Sequence, residues 1–357
     1  MCATDDSMVP TAAARESVPR EAVGDAVDPI RLEAVDEAAV TILVDNSYDG
    51  LLPDVRPATR AHLRRMPTVA APGFAGGRTT AGLVAEHGFS ALVTVRRKGR
   101  SHTVLFDAGI SPDGLATNME RLALDAGAIE AVVLSHGHFD HVGGLSGLAR
   151  LRGRAGLPLL VHPLVWTQRR IALPTPGVPA WELPRVDRAA IEAQGFEVIE
   201  RRQRSLLLDG CLLVTGEVDR TTDFEQGMPG HDAWLDGRWE PDPLILDDQA
   251  VVVNVRDQGL VVITGCGHAG AVNIARHALR LTGVDRLHSL IGGFHLSGPA
   301  FAPVIEPTIS ALGQLAPNLV VPGHCTGWVA QHRLAAALPE GVYLPSAVGS
   351  VFTVTAN

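Results

Sequence analysis

The stretch SHGHFDH at residues 135–141 places three imidazoles and one carboxylate within a single short segment of the 357-residue chain. It follows the apolar run AVVL at 131–134, whose β-branched residues predict a buried strand. The pair Gly143-Gly144 then breaks the chain, and the sequence from Leu145 onward predicts a helix start. A strand-to-loop turn therefore carries more polar groups than an apolar core could satisfy.

These side chains have the chemistry of metal ligands, because imidazole nitrogens and carboxylate oxygens bind zinc and its first-row neighbours. Gly137 lets His136 and His138 converge with no side chain between them. Asp140 and His141 are adjacent, which suits a second metal better than the same one. The alternative is a solvated histidine-rich loop, which the preceding strand and the following glycine pair disfavour.

The spacing H-x-H-x-D-H, with FDAG at 106–109 upstream, resembles the metallo-β-lactamase superfamily. The resemblance runs from about Thr41 to about Thr353 and points to the branch labelled metal-dependent hydrolase of β-lactamase superfamily II. Some members of that branch carry the name of a dihydropterin ribofuranosyl-aminobenzene phosphate synthase. The segments that carry the resemblance are VDN (44–46), AEHGFS (85–90), NM (118–119), TGCGHAG (264–270), IGGFHL (291–296) and PGHCTG (322–327).

The order of predicted elements indicates an α/β fold. Both halves of the chain contain hairpin and βα units, which imply two mixed β-sheets face to face with helices outside. The resemblance implies the specific arrangement, a four-layer αββα sandwich. We predict a metallo-β-lactamase-like domain over residues 37–357. Residues 1–36 are predicted to be a disordered or loosely attached extension, because they contain few large apolar groups.

Residues 163–243 differ in amino-acid composition from the rest of the predicted domain. They are rich in proline and contain four of the five tryptophans. This composition predicts an insertion that covers the substrate; the alternative is an irregular loop whose tryptophans pack against the body. Strand-like pieces at 196–199, 205–208 and 212–215 predict that core strands continue through this region.

Composition and charge limit the classes of protein to which this chain can belong. Hydrophobic residues at 46% and charged residues at 19% are typical of a soluble globular protein, and the net charge of −9 argues against a nucleic-acid partner. Four scattered cysteines without a C-x-x-C pair favour a reducing compartment. With neither a membrane-spanning apolar run nor a secretion signal, we expect a cytoplasmic protein without a membrane partner. The oligomeric state is not predicted, and a homodimer is one possibility.

The resemblance implies two metal sites. The residues that match the ligand motifs are His136, His138 and His268 for one ion and Asp140, His141 and His324 for the other. A three-histidine site leaves a fourth position open for water, which is the catalytic pattern. Zinc is the expected cofactor, with manganese or iron as alternatives. Whether one or two ions bind stays open.

The fourth motif departs from the family pattern. Most members have an aspartate after a glycine there, and its carboxylate bridges the two metals. This chain has Gly293-Phe294-His295 instead. His295 would either replace the carboxylate as a neutral ligand or face the substrate as an acid or a hydrogen-bond donor. Cys266 and Cys325 flank predicted ligands, and we expect them to pack rather than bind metal.

Three further side chains are expected beside or near the metals. Asp107 ends a predicted strand next to the metal loop and would accept a hydrogen bond from a ligating imidazole. Glu86 and His87 form a second acid–imidazole pair that the resemblance brings near the site. The alternative for this pair is a buried contact that joins a strand to a loop.

The function that follows is a metal-dependent hydrolase of a small organic ester, lactone, thioester or phosphoester. The nucleophile would be a metal-bound hydroxide, since a divalent metal lowers the pKa of bound water towards about 7. Asp140 would orient it and pass its proton to the leaving group. No G-x-S-x-G elbow and no P-loop offers a rival mechanism.

Two alternatives stay open at this point. One is a pterin- or phosphoribosyl-type synthase or transferase on the same fold, which would need an anion-binding cluster for which Arg220 and Arg185 are candidates. The other is a non-catalytic metal-binding protein, and this alternative stays open because the bridging aspartate is missing.

Overall fold

The computed structural model describes residues 29–172 and 177–357. The strands of these ranges are β1 (Glu37–Val44), β2 (Ala58–Thr59), β3 (Thr68–Ala70), β4 (Arg78–Thr80), β5 (Ser90–Arg97), β6 (Arg100–Phe106), β7 (Ala131–Val133), β8 (Leu157–Val161), β9 (Arg169–Ile171), β10 (Trp181–Glu182), β11 (Phe196–Glu200), β12 (Ser205–Leu207), β13 (Leu212–Val214), β14 (His231–Leu235), β15 (Arg238–Pro241), β16 (Ala250–Val255), β17 (Gly259–Thr264), β18 (Leu287–Gly293), β19 (Leu319–Gly323) and β20 (Val351–Thr355). The α-helices are α1 (Gly114–Arg121), α2 (Leu145–Arg152), α3 (Arg188–Ala193), α4 (Ala271–Thr282), α5 (Ala302–Leu315) and α6 (Trp328–Ala337).

Most of these strands form two large mixed sheets. The first has eight strands in the order β11-β8-β7-β6-β5-β1-β20-β2, and the second has six in the order β12-β13-β16-β17-β18-β19. In the first sheet, β6, β7, β8 and β11 run parallel, and β1, β5 and β20 add antiparallel pairs. In the second sheet, β17, β18 and β19 are parallel neighbours, and the remaining pairs are antiparallel.

The two sheets pack face to face through apolar side chains. Ile42, Val93 and Phe106 of the first sheet share one buried cluster with Val253 and Ile263 of the second, and none of the five has any exposed surface. β-Branched residues suit such an interior because they pack well on a pleated surface. Burial of this face is therefore the main reason why the sheets associate.

Helices cover the outer face of each sheet. Leu115 of α1, Leu148 of α2 and Ile191 of α3 pack on the first sheet, and Ile274 of α4 and Leu312 of α5 pack on the second. The architecture is a four-layer αββα sandwich, which confirms the predicted fold class.

The region predicted as an insertion has two components. Strand β11 pairs with β8, and β13 pairs with β16, so the middle of the region belongs to the two main sheets, as the strand-like pieces predicted. The flanking parts form a separate four-stranded sheet in the order β10-β9-β14-β15. This third sheet brings residues 169–171 and 181–182 next to residues 231–241.

The last residues of the predicted extension are attached to the body. Leu32 and Val35 are buried, and the Val35 amide donates a hydrogen bond to the Asn254 carbonyl over 2.9 Å. The predicted boundary at residue 36 is therefore too late, because apolar residues before it already join the core. Residues 1–28 lie outside the described ranges. Among the helices of the described ranges, none combines the length and apolarity needed to span a bilayer.

Candidate metal centre

The predicted ligands gather where strands of both main sheets end. Strand β7 leads into residues 135–141, β17 leads to His268, and β19 leads to His324. The backbone is left-handed at Asp107 (φ 59°), His295 (φ 43°) and His324 (φ 46°). Such conformations are unfavourable for residues other than glycine and concentrate at functional sites, so the strand ends are shaped for the side chains that they present.

Three imidazoles form the first cluster. Nε2 of His136 lies 3.0 Å from Nδ1 of His138, and Nε2 of His268 lies 3.2 Å from each of them. Ligand nitrogens about 2.0–2.1 Å from a tetrahedral zinc ion are roughly 3.3 Å apart, so the triangle has the size of a zinc site. All three side chains are buried.

A hydrogen-bond chain fixes the orientation of His136. The Ser135 hydroxyl donates to Oδ2 of Asp107 over 2.7 Å, so its oxygen is free to accept from Nδ1–H of His136, which is 2.8 Å away. This assignment leaves the lone pair of His136 Nε2 directed into the cluster. An orienting partner of this kind is typical of metal-ligating histidines.

A second chain fixes His138 through a residue that the sequence did not reveal. Nε2 of His138 lies 3.0 Å from Nε2 of His231, and Nδ1 of His231 lies 3.0 Å from the Asp242 carbonyl oxygen. Nδ1–H of His231 therefore donates to that carbonyl, and its Nε2 accepts from Nε2–H of His138. The remaining lone pair of His138, on Nδ1, faces the cluster. His231 opens β14 of the third sheet, and no spacing in the sequence distinguishes it from an ordinary core histidine.

The charge state of the first cluster also fits a metal. Burial, together with neighbouring positive groups, lowers the pKa of His136, His138 and His268 well below the ordinary histidine value. All three imidazoles are therefore neutral at pH 7, which is the form that binds a cation. In this assignment His136 and His138 each direct a lone pair into the cluster, and a divalent cation could bind both together with Nε2 of His268.

The second cluster contains the three predicted ligands and a thiol. Oδ2 of Asp140 lies 3.3 Å from Nε2 of His324 and 3.7 Å from Nε2 of His141. Sγ of Cys266 lies 3.2 Å from Nε2 of His141 and 3.3 Å from Nε2 of His324. The four donor atoms form one group that could hold a metal ion. Cys266, which was expected only to pack, thus has the position of a possible fourth ligand, whereas Cys325 directs its sulfur at the Cys266 carbonyl.

Carboxylates control the charge of the second cluster. Oδ2 of Asp107 lies 2.7 Å from Nδ1 of His141, which is the hydrogen bond predicted for Asp107. Burial lowers the pKa of His141, but the charges of Asp107 and Asp140 outweigh it and raise the pKa to about 9. Burial raises the pKa of Asp140, but His141 and His324 outweigh it and hold the pKa below its ordinary value.

Contacts from the third sheet hold the ligand loop, residues 135–141, in place. The Arg169 guanidinium is buried and forms ion pairs with Asp242 and Asp247. Oδ2 of Asp247 also accepts a hydrogen bond from the Gly137 amide over 2.8 Å. A Cβ at Gly137 would lie only 2.2 Å from the Val165 carbonyl oxygen, so this close approach requires glycine.

Comparison with known proteins agrees with this fold and this site. The sequence model of the metallo-beta-lactamase superfamily matches residues 85–159, which include the whole ligand loop. The solved structure of Tm1679, a metal-dependent hydrolase of the beta-lactamase superfamily, is similar with a TM-score of 0.64 at 24% identity, over 89% of this chain and 99% of that one. The chain thus has the metallo-β-lactamase fold, and its ligand-loop region matches the superfamily's sequence model. Its buried histidine, aspartate and cysteine clusters are consistent with divalent metal binding.

Two relatives from Methanocaldococcus jannaschii extend the likeness beyond the ligand loop. One is a 7,8-dihydropterin-6-methyl-4-(beta-D-ribofuranosyl)-aminobenzene-5'-phosphate synthase, 28% identical over 260 residues, which are 71% of this chain and 86% of the relative. The other is an uncharacterised protein, 26% identical over 257 residues, which are 70% of this chain and 88% of the relative.

The remaining predicted residues occupy different places around this candidate metal centre. Glu86 accepts hydrogen bonds from the Ile110 and Ser111 amides over 3.2 and 3.1 Å, so its carboxylate shapes a loop instead of reaching the metals. Nε2 of His87 lies 3.7 Å from Oδ2 of Asp140, and its side chain is 61% exposed at the rim. The ring of His295 lies 4.3 Å from that of His268, outside the two ligand sets described above, although His295 forms with Cys266 and His268 a third group that could hold a metal ion.

The role of His231 leads to the first prediction. Replacing His231 by alanine should weaken the affinity of the three-histidine site for zinc by roughly 10–100-fold, because His138 loses the partner that fixes its tautomer. Competition with a chromophoric chelator at pH 7 measures this affinity. His332→Ala serves as the control, since His332 is exposed on α6. Equal affinities in the His231→Ala variant and the unmodified protein would show that the contact does not orient the ligand.

Proposed function

We propose that this protein is a metal-dependent hydrolase that cleaves a small organic ester, lactone, thioester or phosphoester. The observation that carries the proposal is the three-histidine cluster, whose ring nitrogens lie 3.0–3.2 Å apart and which has no fourth protein ligand in its set among the described residues. An open position is the catalytic pattern, whereas a structural zinc site is closed by four protein ligands.

The chain's own residues support each part of this chemistry. A divalent cation in the centre supplies Lewis-acid activation of water and of the substrate oxygen. Asp140 lies at the edge of the second cluster, in contact with His141 and His324, where its carboxylate can orient a nucleophile and accept its proton. His87 lies beside this carboxylate on the exposed side and would meet the substrate as it enters.

We propose zinc as the metal, with one ion in each cluster. The donors are imidazole nitrogens, one carboxylate and one thiol, and sulfur favours zinc over manganese or magnesium. In the second cluster Cys266 supplies the ligand that the absent bridging aspartate would provide elsewhere in the superfamily. Four protein donors close that site, so we assign the reacting position to the three-histidine site.

A synthase is the second candidate, because one relative carries a synthase name. Such a reaction needs a cationic cluster for the phosphate group. Arg220, one candidate for that role, donates hydrogen bonds to the carbonyl oxygens of His268 and Leu244 and is thus engaged within the protein. Arg185, the other candidate, is exposed just before α3. Neither observation supports the anion cluster that the synthase requires.

Turnover measurements separate the candidates. The zinc-loaded protein is incubated with p-nitrophenyl esters, lactones, a thioester and bis-p-nitrophenyl phosphate, with and without an added aromatic amine. A hydrolase is expected to release product without the amine and to lose this activity after dialysis against a chelator, with recovery on adding zinc. Product formation only in the presence of the amine would favour the synthase. Retained zinc without any turnover would favour a non-catalytic metal-binding protein.

A further inference from the structure

A pocket opens beside the three-histidine cluster. It is partly open to solvent, the about 350 Å³ of space within it includes open solvent, and His268 forms part of its wall. Most of its lining is apolar. The apolar side chains are those of Phe224, Phe294, Leu296, Phe301 and Val304.

The pocket offers little charge that would attract an anion. No lysine or arginine is among the residues that line it, and its only carboxylate is Glu225. The oxygens of Glu225 accept hydrogen bonds from the Val272 and Asn273 amides over 2.9 Å each, so the carboxylate is used to hold the start of α4. A phosphate or carboxylate in the apolar part of the pocket would lie near this negative charge, with no lysine or arginine among the lining residues to compensate it.

Two histidines provide polar contact at one side of the pocket. The ring of His295 lies 4.3 Å from that of His268 and 4.8 Å from that of Phe301. Nδ1 of His268 and Nδ1 of His295 are both buried, and neither has a hydrogen-bond partner within the described part of the chain. Buried polar atoms without partners are rare, and they point to a ligand that supplies one.

We propose that this pocket binds an uncharged apolar part of the substrate, an aromatic ring or a short acyl chain, with an acceptor atom that faces His295. The inference rests on the proposed function, because it places the scissile bond at His268 and the apolar part next to it. Phe224, Leu296, Phe301 and Val304 bury that part, and Glu225 keeps anionic substrates out. The pocket thus selects neutral esters and lactones over phosphorylated compounds.

Binding tests the pocket without requiring turnover. Saturation-transfer NMR on the zinc-loaded protein compares benzamide, a neutral ring with one acceptor, with benzenesulfonate, an anionic ring of similar size. We expect benzamide to bind more tightly, and Val304→Asp to weaken its binding at least about fivefold, because the new carboxylate lies in the apolar wall. Val69→Asp is the control, since Val69 is 40% exposed on β3.

Kinetics test the same pocket during turnover. Across p-nitrophenyl acetate, butyrate and hexanoate, kcat/KM should rise about three- to fourfold for each added methylene, which is the effect of burying it. In Val304→Asp this rise should disappear, while in Val69→Asp it should persist.

The two experiments distinguish the possible failures. Absence of turnover on every ester would overturn the proposed function, and benzamide binding would still decide whether the pocket is apolar and selective. Turnover with a flat chain-length series, or tighter binding of benzenesulfonate than of benzamide, would overturn the pocket assignment alone.

Discussion

Replacement of His136 by alanine is expected to remove one equivalent of metal and to lower kcat/KM for a hydrolysed ester by roughly 10³-fold. The first cluster has only three protein donors, and Nε2 of His136 lies within 3.2 Å of both others. Loss of one donor leaves two, too few to hold the ion against exchange with water. The catalytic contribution of such an ion is several kcal/mol, which corresponds to about three orders of magnitude in rate.

The measurement combines metal content, by plasma mass spectrometry, with initial rates on the best ester. His332→Ala is again the control, since it changes an exposed histidine on α6. Thermal unfolding shows whether the variant still folds. A folded His136→Ala protein with activity within about tenfold of the unmodified protein would mean that the first cluster is not the reacting site.

Replacement of Cys266 by serine is expected to remove the second metal and leave the first. Sγ of Cys266 lies 3.2–3.3 Å from two imidazole nitrogens, and burial raises the pKa of the thiol in the bare chain. A bound cation reverses this effect, because a coordinating thiol loses its proton. The cobalt-substituted protein should therefore show a thiolate-to-cobalt charge-transfer absorption, and Cys266→Ser should lose both this band and about one metal equivalent.

Two variants make this test specific. Cys325→Ser removes the neighbouring thiol and should retain the band, because Cys325 directs its sulfur at a carbonyl group. His295→Ala should retain both metals, because His295 lies outside the two ligand sets. If the cobalt protein lacks the band and His295→Ala loses a metal, then His295 and not Cys266 replaces the bridging aspartate.

The parts of this account that the sequence predicted correctly are local in the chain. His136, His138, Asp140 and His141 lie within six residues, so their spacing alone shows that they can meet. The fold could be predicted from the sequence for a similar reason. Short β-branched runs that end in glycine turns predict strands, and two sets of such strands imply two sheets.

The parts that the sequence did not predict depend on contacts between distant segments. His231 reaches His138 because β14 pairs with β9 in the third sheet. No repeat or motif in the sequence predicts this sheet. Cys266 lies two residues before His268, and the left-handed backbone at Gly267 (φ 69°) turns the chain between them, so each side chain enters a different cluster. Neighbouring residues of one motif therefore contribute to different clusters, and only the geometry of the turn shows which cluster each side chain enters.

For Glu86 the sequence left two interpretations open. The resemblance placed the Glu86–His87 pair near the metals, and one member is there. The carboxylate of Glu86 instead accepts backbone hydrogen bonds at residues 110–111 and holds the loop that follows Asp107. A sequence motif records that a residue type is needed, but it does not separate a residue that holds a loop from one that contacts the substrate.

The most direct test of the central claim is the metal content of the unmodified protein, purified without chelator or added metal and measured by plasma mass spectrometry. Two complete ligand sets predict about two equivalents of zinc per chain. A folded protein that contains no metal and takes up none from added zinc would contradict the assignment of both clusters.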